Sequence, residues 1–316
     1  MSAQNTRILV YGPEAIAEAA RLIAAAEAVA VPTETVYGLA ADATNGAAVA
    51  RVYDAKGRPG FNPLIVHVLG LEQAEEIAVF DEQARSLAAR YWPGPLTLVL
   101  PLRNDARIAS LVTAGLATIA LRAPAHPAMR DLLVATGVPL AAPSANASGR
   151  ISPTRAAHVL ASLSGRIPLI VDGGPTAHGL ESTIVAVKDA AVRLLRPGPI
   201  DLGLTGFTGE AIEAPGQLAS HYAPIKPLRL DAAGAEADEW LIGFGAIAGD
   251  ATLSASGNLI EAAANLFACL HEADGARPPR IAVAPVPDES LGGAINDRLR
   301  RAAAPATLPP SLASAT

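Results

Sequence analysis

Apolar residues in the first two-thirds of the chain follow two spacings, and the two alternate. Short unbroken runs at Arg7–Val10, Val29–Val31, Leu64–Leu69, Leu96–Leu100, Thr118–Leu121 and Val138–Ala141 predict strands buried on both faces. Leu169–Val171, Thr183–Val187 and Val192–Leu195 predict three more. Between them, helical spacing predicts helices over Pro13–Ala28 and Gly46–Ala55, two within Leu71–Tyr91, and one over Pro153–Leu163. Pro13 and Pro153 fit a first helical turn, and Ser152 fits the cap before Pro153. Alternating strands and helices predict an α/β fold. The close spacing of the last strands predicts a mixed rather than a purely parallel sheet.

The pattern breaks between Gly203 and Pro227. Gly203, Gly206, Gly209, Pro215, Gly216, Pro224 and Pro227 predict a linker there. A second α/β unit follows, with strands at Leu228–Leu230, Leu241–Phe244 and Ile281–Ala284 and helices at Asn258–Glu272 and Leu291–Ala304. The expected organisation is a domain over 7–205, a linker over 206–226, a small α/β domain over 227–304 and a disordered tail over 305–316.

Composition supports this division. At 316 residues, 51% hydrophobic, the chain has material for two cores. No 18-residue charge-free apolar run predicts a membrane helix. The opening MSAQNTRILVYG lacks the basic start and apolar core of a secretion signal. Cys269 is the lone cysteine, which excludes an intrachain disulfide, and it lies in an apolar helical pattern. The net charge is −6. The first 206 residues are neutral, with 17 basic and 17 acidic side chains, and the remainder carries 7 and 13. A protein that grips nucleic acid through many phosphates shows a basic stripe, and none is visible. A small anion needs only a few placed cations.

Lys56 and Arg58 flank Gly57 at the end of a predicted helix. Two readings stand: a solvated helix C-terminus, where cations suit the dipole, or half of an anion site. The stretch Ala142-Pro143-Ser144-Ala145-Asn146 ends a distant strand in small residues and short polar side chains. Such residues let backbone N–H groups approach an anion, and α/β sheets bind ligands where strands end. Asn62 places an amide just after the cations, while His67 alternates with apolar residues and reads equally as a core histidine. Thr33-Glu34-Thr35 puts two hydroxyls and a carboxylate after a buried strand. Arg122 ends another, fit either to fork a ligand carboxylate or to make a structural ion pair. Trp92-Pro93-Gly94-Pro95 reads as an architectural turn. Ser182 opens a strand and Arg196 closes one. His221-Tyr222 puts two rings in the linker, an arrangement suited to a lid. There is no GxxxxGK[ST] phosphate loop, zinc-spaced Cys/His set or GxSxG elbow.

The stretches PTETVYGLAADA, KGRP-x-x-NPLIVHV, WPGPLTLVL, APSANASG, GLESTIV, LRPGPI and HYAP occur in order. Together they resemble the L-threonylcarbamoyladenylate synthases of two-domain form, and the resemblance runs to about Ala304. It implies a YrdC-like twisted mixed sheet with flanking helices and a smaller Rossmann-like C-terminal domain. It implies a cytoplasmic nucleotidyltransferase that condenses L-threonine, bicarbonate or CO2, and ATP with Mg2+, releasing pyrophosphate. The product is then handed to a tRNA threonylcarbamoyl transferase complex, without stable direct tRNA binding by the synthase. By the same resemblance Thr35, His67, Arg122, Ala142 and Ser182 hold threonine. Arg58, Asn62, Thr118, Ser144, Ser152, Arg196 and Tyr222 hold ATP. Lys56 and Asn146 complete a catalytic set with Arg58 and Ser144 and face the phosphates or the carboxylating carbon. One departure is visible: such linkers carry basic residues before His-Tyr-Ala-Pro, whereas Pro215–Ser220 has none. Two other functions are compatible with the chain, an RNA-binding module of YrdC-like fold and a carbamoyltransferase acting on another acceptor. The second is disfavoured by the lack of the zinc-finger and acyl-phosphatase segments that accompany it.

Overall fold

The computed structural model describes residues 5–204, 213–217 and 219–305. Residues 206–212 and 218 of the expected linker, and the expected tail from 306, lie outside them. The first unit runs β1 (Arg7–Val10), α1 (Pro13–Ala24), β2 (Val29–Pro32), β3 (Tyr37–Asp42), α2 (Gly46–Lys56), β4 (Ile65–His67), α3 (Leu71–Glu75), α4 (Glu82–Tyr91) and β5 (Leu96–Pro101). It continues α5 (Ser110–Thr113), β6 (Thr118–Arg122), α6 (Pro127–Thr136), β7 (Leu140–Ala141), α7 (Ala156–Leu163), β8 (Leu169–Asp172), β9 (Thr183–Lys188) and β10 (Ala191–Arg196). The second unit holds β11 (Leu228–Arg229), β12 (Glu239–Gly243), β13 (Ala251–Thr252), α8 (Leu259–Gly275), β14 (Arg280–Val283) and α9 (Leu291–Ala303).

The ten strands of the first unit form one sheet in the order β1-β8-β2-β3-β7-β4-β6-β5-β9-β10. It is mixed: β4 and β6 run parallel, while β3 and β7 are antiparallel. Apolar layers cover it on both sides, one centred on Leu39, Val66 and Leu98, the other on Val29, Met129 and Leu169. The second sheet, β11-β14-β12-β13, is wholly parallel. Its core of Ile242, Leu266, Phe267 and Ile295 also takes in Val36, Ile151 and Leu180 from the first unit. The two units therefore share an apolar interface.

Two expectations are corrected, and further elements are added. The helix predicted over Pro13–Ala28 stops at Ala24, where Ala26 turns into the left-handed region at φ 59°. The helix predicted from Pro153 begins at Ala156, and Ser152 does not cap it. The Ser152 hydroxyl instead donates to Glu181. The run after Val36 is a strand, β3, hairpinned to β2 and buried nearly throughout. Helix α6 is an addition to the predicted elements, although His126 caps it, Pro127 opens it and Gly137 closes it at φ 66°.

Candidate active site

Helix α2 delivers the paired cations. Asn45 caps its start by accepting from the Ala47 and Ala48 amides, and Gly57 ends it in the left-handed region at φ 60°. That reversal sends the two cations different ways. Lys56 is 2% exposed and donates through Nζ to the carbonyls of Ser144 and Asn146, both at 2.5 Å. Burial, reinforced by Arg58, drives its pKa well below the ordinary lysine range. Lys56 thus laces the two motifs together but does not line the cavity described next. Lys56 and Asn146, expected to face the phosphates or the carboxylating carbon, thus stand outside the residues that line the cavity. Asn146 is likewise turned inward, its amide donating to Ala147 and Arg150 carbonyls.

Arg58 does face the cavity. Its Nε donates to the Asn62 carbonyl at 3.2 Å and Nη2 to that of Pro63 at 2.9 Å. Burial lowers its pKa to about 10. Asn62 serves Arg58 through its backbone, and its buried side-chain amide has no partner. Parallel pairing of β4 with β6 sets His67 beside Arg122 at the strand ends. Arg122 donates to Glu34 Oε1 at 2.6 Å, to Thr35 Oγ1 at 2.9 Å and to the Gly94 carbonyl at 3.2 Å. Burial pushes the Glu34 carboxyl up, but Arg122 outweighs it and holds the group below the ordinary range. The carboxylate that stood alone in the sequence is therefore half of a buried ion pair.

On the facing wall, Arg196 donates to the Ser182 carbonyl at 2.9 Å and to its hydroxyl at 3.0 Å. The Ser182 hydroxyl also bonds Thr97 at 2.7 Å. Burial lowers the Arg196 pKa. Pro215, Gly216, His221 and Tyr222 complete the lining. Gly216, at φ 86°, permits their close approach: a Cβ there would meet Tyr222 Oη at 2.9 Å and Arg196 Cδ at 3.1 Å. Tyr222 is 1% exposed, its backbone at φ 63° and its hydroxyl without a partner.

The structure thus gathers Thr35, Arg58, His67, Arg122, Ala142, Ser144, Ser182, Arg196 and Tyr222 around one cavity of about 50 Å³. Thr118 is not among them. It starts β6 and Arg122 ends it, so the two stand about 13 Å apart at 3.3 Å per residue. Ser152 stands one bond behind the wall, on Glu181.

Residues 180–304 match the family described as threonylcarbamoyl-AMP synthase, C-terminal domain. Residues 21–198 match the Sua5/YciO/YrdC family, described as telomere recombination. A threonylcarbamoyl-AMP synthase of Bacillus subtilis strain 168 is 41% identical, over 91% of this chain and 92% of its own. The chain belongs to the threonylcarbamoyl-AMP synthase family. A second synthase, from Pyrococcus abyssi, is 38% identical over 90% of this chain and 92% of its own. The crystal structure of P. abyssi Sua5 complexed with L-threonine matches with a TM-score of 0.85 at 36% identity, covering 94% of this chain and 97% of that one. E. coli YciO shares the fold of the larger unit, with a TM-score of 0.56 at 19% identity over 63% of this chain and 98% of that one. No helix among the described residues is long and apolar enough to cross a membrane.

Glu181 and Arg298 lie outside the set expected from the sequence. Glu181 lines the cavity, and Arg298 of α9 holds it from behind at 3.0 Å. A signal for Arg298 existed: it follows Ile295 by three residues and so shares the apolar face of α9.

His67 gives the site an acid sensitivity. Burial, followed by Arg122, lowers its pKa to about 3, against 6.5 in the unfolded chain. The unfolded state therefore binds this proton first. Stability from this group is complete above about pH 6.5 and falls as the pH drops from there toward 3. At about 1.4 kcal/mol per pH unit the loss is about 2 kcal/mol by pH 5. Urea titrations at pH 7, 6 and 5 are expected to show it, and His67→Gln to flatten the slope by one proton. An unchanged slope in that variant would assign the acid sensitivity elsewhere.

Proposed function

We propose that the cavity is where L-threonine, bicarbonate or CO2, and ATP are condensed to threonylcarbamoyl-AMP and pyrophosphate. The chain is a threonylcarbamoyl-AMP synthase by its relatives. The observation that carries the chemistry is that Arg196, buried, and Arg58, half-buried, converge on one cavity with no carboxylate partner among the described residues. Buried charge without a partner is costly, so such a pair fits a site completed by a bound anion. Arg122, by contrast, is already paired.

In this reading the amine of threonine adds CO2 to form a carbamate. A carbamate oxygen then bonds the α-phosphorus as the bond from phosphorus to the pyrophosphate oxygen breaks. Both reactants are anionic, and fixed cations offset their repulsion. Arg58, Ser144, Arg196 and Tyr222 serve the nucleotide. Thr35, His67, the Ala142 backbone and Ser182 serve threonine, with Arg122 reaching its carboxylate only by loosening from Glu34 or Thr35. The related P. abyssi protein forms a crystalline complex with L-threonine. The site is built of positioning groups, as a reaction without an enzyme nucleophile requires. Glu181, the one carboxylate among the described residues lining the cavity, is engaged by Arg298 and Ser152. These donors suit phosphate oxygens rather than a metal ion, so we assign Mg2+ to the nucleotide and water. Sites for ligands of this class run to about 300–1,000 Å³. The cavity of about 50 Å³ therefore requires the roof of Pro215, Gly216, His221 and Tyr222 to move on entry.

The test is pyrophosphate release from ATP with L-threonine and bicarbonate supplied or withheld. Release is expected only when both are present. ATP turnover indifferent to threonine would refute the assignment.

A further inference from the structure

Three walls of the cavity meet behind it on one side chain from the second unit. Arg298 is wholly buried. Its Nε donates to Glu181 Oε2 at 3.0 Å, and Nη1 donates to the Pro197 carbonyl at 2.8 Å and to Asp297 at 2.9 Å. Glu181 precedes Ser182 and Pro197 follows Arg196 in the chain, so both opposed threads of the wall are tied to it. Its guanidinium carbon also lies 5.4 Å from the centre of the Tyr222 ring, in cation–π range. Nη2 of Arg298 and the hydroxyl of Tyr222 are both buried without partners.

We propose that Arg298 is a positioning residue for ATP, through which the C-terminal domain completes the active site. It neutralises Glu181, the carboxylate that lines an otherwise cationic cavity, and it seats Tyr222 over that cavity. An uncompensated Glu181 would set a negative charge in a water-poor site against the incoming phosphates. Ser152 also donates to Glu181, but a neutral hydroxyl does not cancel the charge. Of the groups assigned to threonine, Ser182 follows Glu181 in the chain, but its hydroxyl is held by Thr97 and Arg196 rather than by this pair, and Thr35 is held by Arg122. This inference rests on the reading of ATP as a substrate.

The experiment is steady-state pyrophosphate release by the full chain, with ATP and threonine varied separately. Wild-type release dependent on threonine and bicarbonate is its baseline, and without it the functional reading falls and takes this proposal with it. Given that baseline, Arg298→Met is expected to raise the KM for ATP about tenfold or more while the KM for threonine stays within about twofold. The double variant Arg298→Met/Glu181→Gln is expected to recover most of that loss, because the stranded carboxylate is gone. A lower Tm with an unchanged KM for ATP, or a double variant no better than the single, would reduce Arg298 to a structural role. If Arg298→Met does not fold, Arg298→Lys reads the same quantity: a KM for ATP raised about threefold supports the proposal and an unchanged one overturns it.

Discussion

Replacing Arg58 with alanine is expected to lower pyrophosphate release roughly a thousandfold, the loss typical of removing a fixed charge that faces a transferring phosphoryl group. The fold is expected to survive. The Arg58 side chain donates to two carbonyls of its own loop, at Asn62 and Pro63, and bonds Tyr53. Losing them costs about 1–3 kcal/mol at most, and relief from half-burying a cation without a carboxylate partner offsets part of that. At about 2–4 °C per kcal/mol for a domain of this size, Tm should fall by only a few degrees. Arg122 makes the contrast. Its removal strands Glu34, which is 7% exposed, and breaking such a pair costs about 3–5 kcal/mol. Arg58→Lys separates charge from geometry, since it keeps the cation and loses the fork. Calorimetry beside the release assay decides the matter. A large drop in Tm with activity lost only in proportion would make Arg58 a structural residue.

The contrast between the two arginines also marks what the chain discloses before folding. Arg58 follows the end of α2 and Arg122 ends β6, and locally both look like free cations. Only the pairing of β4 with β6 and the β2–β3 hairpin bring Glu34, 88 residues away, onto Arg122. Local pattern reports periodicity, not partners. The strand order has the same origin: β7, two residues long, sits between β3 and β4 because of long-range hydrogen bonding that no run of apolar residues encodes. Strand β3 is hidden in the sequence because it is buried on both faces and rich in small residues, so it shows no alternation. Helix α6 is legible in its spacing of Met129, Leu132 and Leu133 and in its caps. Among site residues, the rule that ligands sit at the carboxyl ends of parallel strands separates Arg122 and His67 from Thr118. Arg122 and His67 end their strands, and Thr118 begins one.

Removing everything from Pro215 onward is expected to abolish synthesis while leaving the ten-stranded sheet folded. The apolar layers on both faces of that sheet are drawn from residues before 215 and remain whole. What disappears is one side of the cavity: Gly216, His221 and Tyr222 from the roof and Arg298 from behind Glu181. Val36, Ile151 and Leu180 lose their cover, so the fragment should also self-associate. Circular dichroism of the fragment is expected to retain α/β character, and its pyrophosphate release to fall to background. Full activity in a folded fragment would deny the second unit any part in the reaction. Tyr222→Ala in the full chain isolates the roof from the rest. Arg298 still holds Glu181 and Pro197 in that variant, so its loss of rate should be smaller than that of the fragment. A loss as complete as the fragment's would put the whole contribution of the second unit in the roof and leave Arg298 none.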